Sequence, residues 1–179
     1  MNEIKAEIIT IGDEILYGQT IDTNSAFMGK ALNKIGVTVK QITSISDNEE
    51  DILNAIKNST SQIILITGGL GPTLDDITKQ TLCTFFDDQL ALNPTAWENV
   101  QEFYKSRNRT ISEINKLQAH LPTKSICLPN KVGTASGMWF NYEDKILVSM
   151  PGVPREMEKL ITDEVIPKIE QNFVLPVIK

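Results

Sequence analysis

The stretch TGGLGPTLDDIT at residues 67–78 decides how this chain folds, because it joins a buried strand to a helix. The apolar run Ile63–Ile66 precedes it, and a short run of branched side chains next to glycine predicts a strand in the interior of a sheet. A helical pattern follows it, so the sequence predicts a strand, a glycine-rich turn and a helix that opens on Asp75 and Asp76. Parallel α/β sheets are built from such units.

The composition of this turn is suited to an anionic ligand. Gly68, Gly69 and Gly71 leave backbone N–H groups uncovered, and the N-terminus of the following helix adds a partial positive charge that favours phosphate. Asp75 and Asp76 would repel a phosphate unless a cation lies between them, so the pattern predicts a nucleotide or phosphorylated cofactor bridged by Mg²⁺. The alternative is that both acids only complement the helix dipole beside an ordinary turn. No Gly-Lys-Ser/Thr follows, which argues against a P-loop kinase or ATPase.

The rest of the chain continues the alternation of strands and helices. Strands are predicted at 6–12, 37–45, 63–67, 125–128, 137–142 and 145–149, and helices at 23–35, 47–56, 94–104, 111–121 and 154–165. This order predicts a three-layer α/β fold, with an open and mostly parallel sheet and helices on both faces. Glu143 and Asp144 separate the last two strands and predict a short β-hairpin in the last third, and Pro167 is expected to interrupt the final helix.

Carboxylates follow the first three predicted strands. Asp13 and Glu14 follow the first strand, Asp47 follows the second, and Asp75 and Asp76 follow the third. Parallel strands end at the same edge of a sheet, which is where ligands of open α/β folds bind. We therefore expect these five carboxylates on one rim.

Length and composition bound the function classes. The chain has 179 residues, 41% of them hydrophobic and 22% charged, which is typical of one globular domain. A net charge of −6 with scattered basic residues argues against a nucleic-acid surface. No apolar run reaches the length of a membrane span and the N-terminus has no signal-peptide pattern, so the sequence predicts a cytoplasmic protein without membrane contact. Cys83 and Cys127 are expected to be buried structural thiols, and His120, the only histidine, a surface or packing residue.

The stretch at 67–78 also resembles the T-G-G-x-G-x-x-x-x-D-x-T signature of MoaB/MogA-like molybdopterin-binding domains. Its GLGPTxDDxT form is similar to the N-terminal domain of the competence/damage-inducible CinA family. Further matches are GDEILYG at 12–18, DTN at 22–24, NK and QA within 115–119, N and VGTA within 130–135, and PGVPREM at 151–157. They occur in the family's order over roughly residues 4–160. The resemblance implies one MoaB/MogA-like domain at 1–170 and a tail at 171–179 that leads toward a middle domain absent from this chain.

The resemblance implies chemistry on a phosphoanhydride next to an adenosine. MoaB/MogA-like enzymes join the phosphate of a pterin to AMP, whereas the CinA domain is associated with metal-dependent cleavage of ADP-ribose to AMP and ribose 5-phosphate. Asp75 stands where an arginine is common in MoaB/MogA-like domains, which favours ADP-ribose hydrolysis. The alternatives are a molybdopterin-binding or adenylyltransferase-type domain of molybdenum cofactor biosynthesis, and a non-catalytic nucleotide-binding module.

The resemblance also implies roles for individual residues. Asp47 and Asp76 are the catalytic candidates and the expected ligands of Mg²⁺ or another divalent metal, while molybdopterin is expected only under the alternative. The expected ligand-binding residues are Gly12, Asp13, Glu14, Asn24, Thr67, Gly68, Gly69, Gly71, Pro72, Thr73, Thr78, Lys116, Gly133, Thr134, Ala135, Gly152 and Glu156. The expected partners are a small anionic nucleotide or pterin, and further copies of the chain in a dimer or trimer.

Overall fold

The computed structural model describes residues 3–176. Its strands are β1 (Lys5–Ile11), β2 (Thr38–Ile45), β3 (Ile63–Thr67), β4 (Leu90–Leu92), β5 (His120–Pro122), β6 (Ile126–Leu128), β7 (Gly137–Tyr142) and β8 (Lys145–Met150). Its helices are α1 (Asp13–Leu16), α2 (Thr23–Lys34), α3 (Glu49–Asn58), α4 (Thr78–Phe86), α5 (Pro94–Lys105), α6 (Glu113–Leu117), α7 (Pro154–Leu160) and α8 (Ile166–Asn172). A π-helical turn at Ile161–Val165 joins α7 to α8.

Six of these strands form one sheet in the order β2-β1-β3-β8-β7-β6. β1 pairs in parallel with β2 and β3, and β3 pairs in parallel with β8. β7 pairs antiparallel with β8 and with β6, and Glu143 takes a φ of 49° in the turn between β7 and β8. The expected mostly parallel sheet and the late hairpin are confirmed. β4 and β5 form a separate antiparallel pair that the sequence pattern does not predict, since three residues are too few to show a period.

The central strand β3 is buried on both faces, which explains its apolar run at 63–66. Ile8 and Leu65 pack on one face among residues of α2, α7 and α8, and Ile9 and Ile66 pack on the other face among residues of α3, α4 and α5. Side chains alternate along a strand, so the four apolar residues at 63–66 of β3 fill both layers. Each such side chain contributes about 1.5–3 kcal/mol to the free energy of unfolding.

The last helix is interrupted just before Pro167, as the sequence predicts, but it does not end there. A π-helical turn separates α7 from α8, and Pro167 lies in the first turn of α8, where its missing N–H is tolerated. Phe173 and Leu175 then pack against the core. The domain boundary at residue 170 stays a prediction, and residues 177–179 of the expected tail lie outside the described residues.

The structure also bears on the predictions for membrane contact, for the two cysteines and for His120. Within residues 3–176, no helix combines the length and apolar character that crossing a bilayer requires. Cys83 is buried and Cys127 is partly buried, and burial raises the pKa of both thiols. His120 lies half-buried in β5, with Nδ1 3.2 Å from the backbone oxygen of Lys116.

Candidate functional site

An open pocket of about 470 Å³ lies where β1, β2, β3 and β8 end. The Gly12 N–H donates to the Ile45 carbonyl at 3.1 Å, and the Gly68 N–H donates to the Met150 carbonyl at 3.0 Å. These bonds extend the pairing of β1 with β2 and of β3 with β8 by one residue. The loop after β1 therefore starts beside the end of β2, and the loop after β3 starts beside the end of β8. The lining also includes Gln118, Thr134 and Ala135.

The glycine turn after β3 forms part of the pocket wall. Gly68 and Gly69 have φ angles of 112° and 66°, which side chains other than glycine rarely adopt. A Cβ on Gly68 would lie 2.3 Å from the Ile11 carbonyl oxygen, and one on Gly69 would lie 2.1 Å from Thr78 Oγ1. Thr78 secures the turn to α4, since its hydroxyl donates to the Gly68 carbonyl at 3.1 Å and its N–H donates to the Gly69 carbonyl at 3.2 Å. The N–H groups of residues 69–71 have no backbone acceptor among residues 3–176.

Asp75 and Asp76 do not open the helix, which corrects the sequence prediction. α4 begins at Thr78 and has no acid in its first turn, because a separate turn at 73–76 intervenes. Asp76 closes that turn, since its Oδ2 accepts the backbone N–H of Thr73 at 3.0 Å and the Thr73 hydroxyl. Complementing the dipole from within the first turn therefore does not account for these two aspartates.

The titratable groups that line the pocket are all acidic. Glu14, Asp47, Asp75, Asp76 and Glu156 belong to the lining, and no Lys, Arg or His does so among the described residues. Burial, together with the charges of Glu14, Asp13 and Asp76, raises the pKa of Asp47, although the Asp13 N–H donates to Asp47 Oδ2 at 3.2 Å and opposes that rise. The pocket therefore carries negative charge, and no cationic side chain in its lining neutralises it.

Three of these carboxylates are packed against glycines. An added Cβ on Gly12 would lie 2.5 Å from the Glu14 carboxylate, one on Gly71 2.5 Å from Asp76, and one on Gly133 2.4 Å from Glu156. Each contact is with the end of a flexible side chain, so a methyl group at these positions would displace the carboxylate before it displaced the backbone. These glycines therefore set where the charges lie.

A buried amide links the loops that follow β3 and β8. Asn24, in the first turn of α2, donates from Nδ2 to Thr67 Oγ1 at 3.2 Å and to the Gly152 carbonyl at 2.9 Å. The Thr67 hydroxyl donates to the Pro151 carbonyl at 2.9 Å. Asn24 Oδ1 is buried and has no hydrogen-bond partner within residues 3–176. Asn24 and Thr67 thus hold two pocket loops together and line a smaller cavity of about 90 Å³ beside the main one.

The structure brings most of the expected site residues together. Those that line the pocket are Glu14, Asp47, Gly68, Gly69, Gly71, Pro72, Asp76, Thr134, Ala135, Gly152 and Glu156. Gly12, Asp13, Asn24, Thr67, Thr78 and Gly133 support that lining through the contacts above. Thr73 faces a neighbouring cavity of about 330 Å³, and Lys116 is not part of the lining, since its Nζ lies over the Trp97 ring, 5.9 Å from the centroid. What each residue does toward a ligand stays a prediction.

Two residues that sequence reasoning did not assign also shape the site. Asn130 is buried and donates to the carboxylate of Glu156 at 2.7 Å; its place in the 130–135 motif was the available signal. Lys79 lies behind the glycine turn, where its Nζ donates to the carbonyls of Gln118 and His120 at 3.4 and 3.1 Å. Burial lowers the pKa of Lys79, and the charge of Asp76 opposes that shift. Nothing in the helical pattern of α4 distinguishes this lysine from an exposed one.

The acidic lining raises the question of which residues could hold a divalent cation. No group of three or more His, Cys, Asp or Glu side chains is placed to hold a metal ion in the part of the chain that the structure describes. Asp47 and Asp76 nevertheless line one pocket, and the charge of Asp76 contributes to the raised pKa of Asp47. Two carboxylates in one lining would suffice only for a cation that takes one or two protein ligands and keeps several of its waters, as Mg²⁺ does.

Comparison with known sequences agrees with the geometry. Residues 7–171 match the family described as "Probable molybdopterin binding domain". A CinA-like protein of Flavobacterium psychrophilum is 47% identical over 178 residues, which are 98% of this chain and 43% of that protein. A protein of Pyrococcus horikoshii is 37% identical over 182 residues, which are 96% of this chain and 71% of that protein. The chain thus spans less than half the length of its CinA-like relative from Flavobacterium.

Comparison with solved structures gives the same grouping. The CinA protein of Thermoplasma acidophilum, described as having unknown function, has a TM-score of 0.83 at 30% identity, covering 97% of this chain and all of that one (100%). MoaB of Pyrococcus furiosus, described as synthesizing tungsten cofactor, has a TM-score of 0.61 at 16% identity, covering 96% of this chain and 98% of that one. At that identity the second similarity shows the fold alone.

Proposed function

The chain belongs to the family of molybdopterin-binding domains and, within it, to the CinA-like proteins, and from that premise we propose that its pocket binds a phosphorylated pterin of the molybdopterin class. One observation carries the proposal: the N–H groups of residues 69–71 have no backbone acceptor among the described residues, and they lie in the wall of a pocket large enough for such a ligand. Free backbone donors beside a helix N-terminus are a common phosphate site.

Each part of the pocket has a role in this proposal. The N–H groups of the turn bind the phosphate, and Thr78 keeps the turn in its positive-φ conformation. Asn24 keeps the loop at Gly152 beside that turn. Thr134 and Ala135 line the space that remains for the ring of the ligand.

We also propose that a divalent cation accompanies the phosphate, because no cationic side chain among the described residues lines the pocket. Asp47 and Asp76 would hold it. When bound, such an ion would offset the charge of the carboxylates and polarise a phosphate oxygen. Asp13 orients Asp47 through its backbone N–H, and the bond from Thr73 orients Asp76.

A second candidate function is hydrolysis of ADP-ribose to AMP and ribose 5-phosphate. The acidic lining favours it, because a carboxylate of raised pKa is a better acceptor for the proton of an attacking water. In this reaction the water oxygen bonds to one phosphorus, the bridging P–O bond breaks, and Asp47 takes the proton. Asp75, exposed at the mouth of the pocket, adds to the negative charge there.

One experiment tests both candidates. The full chain is titrated with 6-hydroxymethylpterin phosphate, AMP and ADP-ribose by calorimetry, with and without Mg²⁺, and the ADP-ribose mixtures are analysed for AMP. Saturable, Mg²⁺-dependent binding of the pterin phosphate supports the first function, and AMP release supports the second. Absence of pterin binding overturns the first, and binding of ADP-ribose without turnover leaves a nucleotide-binding module.

The proposed assembly with further copies of the chain has a separate test. Light scattering during size-exclusion chromatography gives the mass in solution, and a mass of one chain, 20.0 kDa, contradicts a dimer or trimer.

A further inference from the structure

Glu156 is a pocket carboxylate whose position is set by a buried amide. It lies in the first turn of α7 and lines the main pocket. Asn130 donates from Nδ2 to Glu156 Oε2 at 2.7 Å and to the Ala135 carbonyl at 3.0 Å, while its Oδ1 accepts the Val132 N–H at 3.1 Å. Because both ends of the Asn130 amide are engaged, the amide has one orientation and the carboxylate has a fixed donor.

The loop behind Glu156 holds the carboxylate from a second side. Gly133 is in contact with it, since an added Cβ would lie 2.4 Å from the carboxyl carbon. Asn99 Nδ2 donates to the Gly133 carbonyl at 3.1 Å and anchors this loop to α5. The Glu156 carboxylate is therefore held between Asn130 and Gly133, and it faces a pocket.

Glu156 has no cation to neutralise it. It forms no ion pair with any Lys, Arg or His among residues 3–176. Burial raises its pKa, and the Asn130 hydrogen bond opposes that rise. An ionised carboxylate has about four acceptor positions, and one bond from Asn130 leaves the others for a ligand. The complementary ligand group is a pair of adjacent N–H donors, which a carboxylate accepts side by side.

We propose that Glu156, held by Asn130 and Gly133, recognises the 2-amino and N3–H groups of a pterin ring, which makes the ligand a 2-amino-4-oxopteridine. This rests on the proposed binding of a pterin phosphate and assigns the residue that selects its ring. Adenine presents one amino group next to a ring acceptor, so it matches the carboxylate with a single donor. Lumazine replaces the 2-amino group by a carbonyl, which places an oxygen against the carboxylate.

The test compares ring selectivity in two variants. Dissociation constants of 6-hydroxymethylpterin phosphate and of the matching lumazine phosphate are measured for the full chain by fluorescence quenching or calorimetry. We expect the native chain to bind the pterin about 10-fold or more tightly than the lumazine, because the half-buried Glu156 carboxylate loses a donor in the lumazine complex. Glu156→Gln has a donor and an acceptor in place of two acceptors, so we expect the preference to disappear or reverse.

A second variant separates position from charge. Gly133→Ala keeps Glu156 ionised but displaces its carboxylate, so it should weaken pterin binding without reversing the preference. Gly29→Ala in α2 is the matched control, since a Cβ there meets no atom within 4 Å. If Glu156 only stabilised the fold, Glu156→Gln would change the affinities for the pterin and the lumazine equally.

The outcomes separate this proposal from the one it rests on. If the native chain binds neither phosphate, the proposed function fails and this assignment fails with it. If it binds the pterin but Glu156→Gln keeps the full native selectivity, only the role of Glu156 is overturned. Loss or reversal of selectivity in a variant that unfolds like the native chain supports the assignment.

Discussion

At the scale of single residues, the positions of three of the five pocket carboxylates depend on a neighbouring glycine. Gly12, Gly71 and Gly133 leave room for Glu14, Asp76 and Glu156, in that order. Each acid is close in sequence or in space to a glycine that a motif search would assign to ligand contact. The structure indicates that part of what these glycines do is to place acids.

Asp76→Asn tests the role of charge without removing the turn. The amide oxygen of Asn can still accept the Thr73 N–H, so we expect the free energy of unfolding to change by about 1 kcal/mol or less. Mg²⁺-dependent ligand binding should be lost, because the amide is a poorer ligand of a hard cation. Urea unfolding and calorimetric titration measure the two effects. Asp144→Asn, in the β7–β8 turn, is the control for net charge, and unaltered Mg²⁺ dependence in Asp76→Asn would contradict the metal role.

Asp47→Asn is expected to stabilise the fold at pH 7. Burial and nearby carboxylates raise the pKa of Asp47, so the folded state holds this proton more tightly than the unfolded state. The free energy of unfolding therefore falls as the pH rises from 3.8, the ordinary pKa of Asp, through the raised pKa of Asp47 in the folded state. Above that raised pKa the ionised Asp47 destabilises the fold. Asn removes the penalty, which solvent screening limits to less than about 1 kcal/mol.

Melting temperatures from pH 4 to pH 8 measure this effect. We expect the melting temperature of Asp47→Asn to exceed that of the native chain at pH 7. The difference should shrink as the pH falls through the raised pKa of Asp47, because the native carboxylate then gains a proton. A variant that is less stable at pH 7, or a difference that does not vary with pH, would show that Asp47 is not under electrostatic strain.

At the scale of elements, α2 is connected to the ends of two strands. Its first turn carries Asn24, whose amide bonds to Thr67 at the end of β3 and to Gly152 after β8. Neither strand end is adjacent to α2 in sequence. The pocket loops are therefore held in register by a helix on one face of the sheet, and damage to this contact should spread to both loops.

Asn24→Ala should destabilise the chain by about 1–3 kcal/mol, because it removes the donor to the buried Thr67 hydroxyl oxygen and to the Gly152 carbonyl. Hydrogen exchange should accelerate at the hydrogen-bonded amides of the two loops before it does so in β3. These amides are those of Gly68, Thr78, Glu156 and Met157. Urea unfolding and exchange mass spectrometry measure these effects. Asn33→Ala, at an exposed position of the same helix, is the control, and exchange confined to α2 would show that the contact does not couple the loops.

At the scale of the whole molecule, the net charge of −6 and the acidic pocket act in the same direction. The formal charge opposes binding of any anion, so the proposed phosphate site needs a cation or a local arrangement of donors to overcome it. The stability of the whole chain is therefore expected to respond to divalent ions more than to monovalent salt.

Mg²⁺ should raise the melting temperature, because an ion that binds only the folded state stabilises it by about 2.7 kcal/mol at a concentration 100 times its dissociation constant. The rise should vanish in the double variant Asp47→Asn/Asp76→Asn. NaCl at matched ionic strength controls for screening of the net charge. Equal shifts with Mg²⁺ and NaCl, or a full Mg²⁺ shift in the double variant, would contradict a specific cation at this site.

The sequence by itself determined the alternation of strands and helices, the parallel centre of the sheet and the edge at which the pocket lies. These follow from local periodicity and from residues 67–78, because the hydrophobic period and the placement of glycines are properties of residues that are consecutive in the sequence. Only the tertiary structure decided that Asp75 and Asp76 precede the helix, that Asn24 and Asn130 hold pocket groups, and that Lys116 lies over Trp97. Hydrogen bonds that join residues 26 or 128 positions apart leave no local pattern, because chain folding alone brings such partners together.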